Sequence, residues 1–203
     1  MQTPIALTLT GKILLRHPGE RQTIGIRAVL TDILLVMTGG LIVAALSHVR
    51  IPLPFTPVPL TGQTLGVLLV AAVLGRSRGA ASLALYLAVG LLGLPVFGGA
   101  PVGFARILGP TGGYLVGFMA AAALVGSLAE RGFDRDWKRV SAMFLAGTGV
   151  IYLFGLVWLA QFTGLADAFS AGLWPFLPGD LLKAICAALL LPNARRLVER
   201  PRN

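Results

Sequence analysis

The chain has 203 residues, of which 56% are hydrophobic and only 12% charged, and its mean hydropathy is +0.82. A soluble domain of this size could not wet so much apolar surface, so a soluble fold is excluded and one membrane-embedded domain is expected. The net charge of +9 is spread as short basic runs between apolar stretches, which argues against nucleic-acid binding and for membrane topology signals.

In chain order, residues 1–28 are polar to mixed and read as a cytoplasmic N-terminal segment. They do not read as a cleaved signal peptide, because the apolar run that follows is longer than a typical signal core. A membrane-crossing helix needs about 20 apolar residues. Six stretches approach that length: Val29 to Val49, Leu60 to Gly75, Gly79 to Leu94, Gly112 to Ala129, Val140 to Phe162, and Asp180 to Leu191. The last can extend to Val198 as it leaves the membrane. The predicted fold is therefore all-α, an integral membrane bundle of six transmembrane helices over residues 29–192, with a basic tail at 193–203. The runs do not alternate apolar and polar residues, which excludes a transmembrane barrel.

Lys and Arg orient the bundle. Lys12, Arg16, Arg21, Arg27, Arg76, Arg78, Arg131, Arg135, Lys138, Arg139, Arg195, Arg196, Arg200 and Arg202 fall on one side, fourteen of the 17 basic residues. Arg50 and Arg106 fall on the other, and Lys183 lies within the last span. That bias predicts both termini in the cytoplasm, which requires an even number of spans. The expected location is the cell (plasma) membrane.

The outer connections are long and rich in Gly and Pro, whereas the inner turn GRSRG is short. Elaborate loops on one face of a simple scaffold usually carry function. The first outer loop holds Pro52, Pro54, Pro57 and Pro59, a stiff extended segment that is either a rigid connector or a pocket wall. Phe55 would add an apolar face, and Gln63 follows at the mouth of the second span. The second outer loop is glycine-rich and carries Arg106, either a surface anchor or a grip for a carboxylate. It ends in GPTGGY, which places Tyr114 at the start of the fourth helix.

Asp180 and Lys183 form the sharpest pair. A spacing of three puts both on one helix face, at the outer end of an apolar span. Ionisable groups there are costly and turn toward protein or a water-filled cavity. Asp180 could also cap the helix, leaving a cap plus an ion pair; the functional alternative is an anion-binding centre. Asp32 could pair with Arg27 or cap the helix locally, and is assigned to no site. Gly40 and Ala44, four apart on the first span, permit close helix approach, either within the bundle or to a separate membrane subunit. Cys186 is expected to be a packing residue. His17 and His48 belong to no HExxH motif, no GxSxG elbow is present, and no nucleotide-binding motif occurs. No enzyme activity, metal or cofactor is expected, and ATP-driven work would need another protein.

The runs IPLPFTPVPLTGQTLGVLL, GLLGLPVFGG, GPTGGYLVGF and PGDLLKA, in that order, resemble the BioY family of biotin-binding S components of energy-coupling factor transporters. The resemblance covers residues 29 to 192. It implies a six-helix fold with cytoplasmic termini, biotin as the transported ligand captured with high affinity from outside, and assembly with a transmembrane coupling subunit and ATP-hydrolysing subunits. It assigns substrate contacts to Asp180 and Lys183, then to Gln63 and Tyr114; Arg106 lies in GGAPVGFAR, which departs from the family's glycine-rich loop, and is a candidate by its charge. It implies pocket walls at Tyr86, Phe55, Phe97 or Trp174, and subunit docking at Gly40 and Ala44. The biotin carboxylate would meet Lys183 or Arg106, and the ureido group Asp180 and Gln63. The alternative is a stand-alone secondary transporter for another small anionic solute.

Overall fold

The computed structural model describes residues 26–99 and 101–199. Most of the predicted N-terminal segment, with Lys12, Arg16, His17 and Arg21, and the tail residues Arg200 and Arg202 lie outside the described residues.

The described chain is helical apart from one small ribbon. In order it comprises α1 (Ile26–His48), β1 (Arg50–Ile51), β2 (Leu60–Thr61), α2 (Gln63–Leu91), α3 (Phe104–Leu108), α4 (Gly112–Glu130), a 3-10 turn at Phe133–Arg135, α5 (Trp137–Thr163), α6 (Leu165–Gly172) and α7 (Leu177–Glu199). Five helices, α1, α2, α4, α5 and α7, are long and apolar enough to cross a membrane. The last predicted span starts earlier than expected, because Pro178 is tolerated in a first helical turn, and it continues through Pro192 to Glu199. The third outer connection, expected to be loop, contains the short helix α6.

The predicted second and third spans form the two arms of the single element α2. Gly75 interrupts it with φ 84° and ψ −177°, a conformation open to glycine and strained for side-chain-bearing residues. Eight residues of straight helix would separate positions 71 and 79 by roughly 12 Å. Instead a Cβ added at Gly79 would sit 2.9 Å from Ala71 Cα, so the chain doubles back at Gly75. The turn is held by α4. The backbone N–H of Arg76 donates to Glu130 Oε1 at 2.8 Å, and a Cβ at Gly126 would lie 2.6 Å from Arg76 Cα.

α4 lies between α2 and α5, while α1 packs on α2, and α6 and α7 pack on α5. Small residues make the approaches close. A Cβ at Gly117 would lie 3.1 Å from Ile151 Cα, and one at Gly147 would lie 2.7 Å from a Leu68 methyl. Val67, Ala71, Ala121, Ala122, Val125, Met143 and Phe144 form the buried centre. Outward-facing Leu34, Leu41, Leu153, Val157 and Leu182 remain more than half exposed. Around a soluble protein such a belt would be an aggregation surface; against lipid tails it is neutral. The chain is a multi-pass membrane protein.

Two ion pairs tie the basic end. Asp32 pairs with Arg78 at 2.6 Å, joining α1 to the second arm of α2 rather than pairing locally with Arg27. Asp134 in the 3-10 turn pairs with Arg195 of α7, both fully enclosed.

Candidate functional site

The first outer loop is pinned at its base by the antiparallel pairs Arg50↔Thr61 and Ile51↔Leu60. Its tip is pinned by Thr56 Oγ1, which donates to the Ala171 carbonyl at 2.7 Å. These anchors lay Val58 and Pro59 over a cavity of about 600 Å³, counting its open mouth. Below them the walls come from both ends of the chain: Gln63 and Thr64 of α2, Arg106 of α3, Tyr114 and Phe118 of α4, Thr148 and Tyr152 of α5, and Asp180 and Lys183 of α7. A largely apolar wall with a few convergent polar groups is the usual form of a small-molecule site.

The polar centre is built on α7. Asp180 lies inside its first turn rather than at the cap, since its own N–H already bonds the Phe176 carbonyl at 2.9 Å. The carboxylate is therefore available to side chains. Lys183 Nζ donates to Asp180 Oδ1 at 2.8 Å and to Thr64 Oγ1 at 2.7 Å. The Tyr152 hydroxyl donates to Asp180 Oδ2. A buried carboxylate with both oxygens engaged stays in place, and the positive end of the α7 dipole favours it there.

Gln63 Nε2 donates to the Tyr86 hydroxyl at 2.6 Å, which donates to the Val96 carbonyl at 3.1 Å. Tyr114 enters from α4, and its hydroxyl donates to the Gly172 carbonyl at 2.9 Å. Arg106 is buried at the cavity wall, and that burial lowers its pKa from the ordinary value; a guanidinium remains a cation even so. Arg106 and Lys183 against Asp180 leave the lining one positive charge in excess, which suits an anion.

Gln63, Tyr114, Arg106, Asp180 and Lys183 thus share one cavity. Four other expected residues do not line it. Tyr86 and Phe97 stand one layer behind, edge to face at 5.4 Å, where Tyr86 holds the Gln63 amide. Phe55 is 65% exposed, because the pinned loop turns Val58 inward and Phe55 out. Trp174 is likewise exposed. Gly40, expected at a docking face, is buried against its own chain: a Cβ there would lie 3.4 Å from the Ser82 carbonyl. Ala44 is half-buried and packs on the core. The small residues on this face of α1 serve the contact with α2.

Thr64, Thr148 and Tyr152 were not singled out in the sequence. Tyr152 had a usable signal, since a tyrosine within an apolar span needs a partner for its hydroxyl. The chain has three tyrosines, and each donates within this region. Among the described residues, no group of three or more His, Cys, Asp or Glu gathers to hold a metal.

A family model described as "BioY family" matches residues 19–200. The chain belongs to the BioY family. A biotin transporter BioY from Rhizobium etli is 38% identical over 169 residues, spanning 78% of this chain and 90% of that protein. One from Thermotoga maritima is 40% identical over 152 residues, spanning 74% and 89%. A solved structure, the S component for biotin from an ECF-type ABC transporter, superposes with a TM-score of 0.75 at 26% identity, over 88% of this chain and 96% of that one. The BioY-family fold therefore extends over nearly the whole membrane part, including every element that lines the cavity.

Proposed function

We propose that this chain is the biotin-binding S component of an ECF-type transporter, taking up biotin from the extracytoplasmic side of the plasma membrane. It is a transporter and performs no covalent chemistry. The observation that carries the reading is the cavity itself: two cations and one carboxylate converge in a largely apolar pocket beneath a pinned loop.

The two polar ends of biotin are separated by an aliphatic chain, so a single ionic centre cannot serve both. Asp180 and Lys183 stand 2.8 Å apart and together offer an acceptor beside donors. That pattern complements a ureido group, with its two N–H donors and one carbonyl acceptor. Arg106 comes from a different element, and its planar fork suits the carboxylate. Tyr114, Phe118 and Ile151 face the thioether ring and chain.

The doubled α2 and the distribution of Lys and Arg support six crossings with both termini in the cytoplasm. Each arm of α2 would then cross separately, with Gly75 at the inner face. Uptake would proceed by reorientation coupled to a transmembrane subunit and ATP-hydrolysing subunits. Equilibrium dialysis of the purified protein with biotin tests the reading. Nanomolar binding is expected, and no saturable binding would overturn it. Reporter fusions at the two termini test the topology.

A further inference from the structure

A second concavity lies at the other end of the bundle. Arg196 on its rim is thirteen residues beyond Lys183 on α7, roughly 20 Å of helix. The groove runs between the start of α5 and the last turns of α7 and measures about 1030 Å³ counting its open mouth. Trp137 and Ser141 form one wall, and Ile185, Leu189 and Pro192 the other, with Arg196 at the end. Ile185 and Leu189 are 48% and 61% exposed.

The groove changes character along its length. Its inner part is aliphatic and faces the lipid belt. Its rim is polar, with Asp136, Asn193 and Arg196. Asp136 is engaged locally: Oδ1 accepts from the N–H groups of Lys138 and Arg139, and Oδ2 pairs with Arg139 Nε at 3.2 Å. Asp136 and Arg196 are the charged residues of the lining, and the neighbouring Lys138 and Arg139 bring the local balance to two positive charges. Trp137 is 61% exposed with Lys138 over its ring at 5.5 Å, the placement of an interfacial aromatic. Pro192 has no N–H for the Ala188 carbonyl, so the floor also carries a carbonyl without its helical donor, suited to a headgroup hydroxyl.

We propose that this groove seats one anionic phospholipid, with an acyl chain along Ile185 and Leu189 and its phosphate at Arg196. An aliphatic trough ending in a cationic rim at headgroup depth matches that molecule in both shape and charge. Neither the cavity residues nor biotin enters this reading.

The chain has three tryptophans, so Trp158→Phe with Trp174→Phe leaves Trp137 as the sole reporter. The full-length variant is placed in phosphatidylcholine vesicles containing increasing fractions of brominated phosphatidylglycerol or brominated phosphatidylcholine, and quenching of Trp137 is read. Half-quenching is expected at an about fivefold lower fraction of the anionic lipid, the ratio expected for one basic side chain near an anionic headgroup. Arg196→Gln should abolish the difference. Equal quenching by the two lipids, or a preference unchanged in Arg196→Gln, would overturn the proposal. So would the absence of quenching by either, which would mean that a second copy or another subunit covers the groove. Native mass spectrometry of the unsubstituted protein and of Arg196→Gln reads the same preference as retained phosphatidylglycerol, without the tryptophan substitutions.

Discussion

Lys183 Nζ lies 2.7 Å from Thr64 Oγ1, a bond that joins the last helix to the first arm of α2 across 119 residues of sequence. It fixes the distance between the two walls of the cavity and aims the ammonium group that also holds Asp180. Hydrogen bonds to charged groups contribute about 1.5–3 kcal/mol. Thr64→Val keeps the shape and removes the acceptor. Biotin affinity measured by titration calorimetry should fall about tenfold, with the protein still monodisperse by size exclusion.

Asp180 and Lys183 are expected to be interdependent. Removing one partner of a buried ion pair leaves an uncompensated charge and costs about 3–5 kcal/mol. Asp180→Asn and Lys183→Ala should each weaken biotin binding at least about tenfold and lower the thermal midpoint. The double variant Asp180→Asn/Lys183→Met should regain most of the stability and none of the affinity. A double variant that still binds biotin normally would remove the pair from the site.

Arg106 and the ionic centre should separate when the ligand is changed. Biotin methyl ester keeps the ureido ring and loses the carboxylate. Arg106→Gln is expected to reduce affinity for biotin at least about tenfold, as for loss of a charge-assisted contact, and to leave affinity for the ester nearly unchanged. Asp180→Asn should weaken both ligands alike. Competition binding with the two ligands on each variant reads the difference.

Gly75 should be intolerant of any side chain. Its φ of 84° with ψ near 180° strains other residues by about 1–3 kcal/mol. Gly75→Ala should lower the thermal midpoint in detergent by several degrees. Glu130→Ala, which removes the acceptor for the Arg76 N–H, should act in the same direction and less strongly. A midpoint unchanged in both would mean that the turn is held by other contacts.

The enclosed pair Asp134–Arg195 ties the inner connection to α7. Asp134→Ala removes the carboxylate that faces the buried Arg195 guanidinium and should lower the thermal midpoint by several degrees. Asp134→Leu/Arg195→Met should recover much of that loss. Biotin affinity should be unaffected in the double variant, because both residues are remote from the cavity. Thermal denaturation and dialysis check the two halves of this expectation.

Apolar run length, the positions of glycine and proline, and the placement of Lys and Arg are local properties, and lipid makes them decisive, since an unbonded backbone cannot stay in hydrocarbon. From these the sequence by itself determined a helical membrane bundle and the positions of its glycine- and proline-rich connections. It also singled out five of the polar residues that share one cavity, four of them on motifs that resemble a known family. Rotation of each helix about its axis, and the partner each side chain meets across a gap, belong to the tertiary structure alone. Only packing decided that Tyr152 would reach Asp180 and that Phe55 would turn away. Packing likewise seated Gly40 against α2, and Asp32 met Arg78 rather than Arg27. Such contacts depend on several elements docking at once, and no single stretch of sequence carries that information.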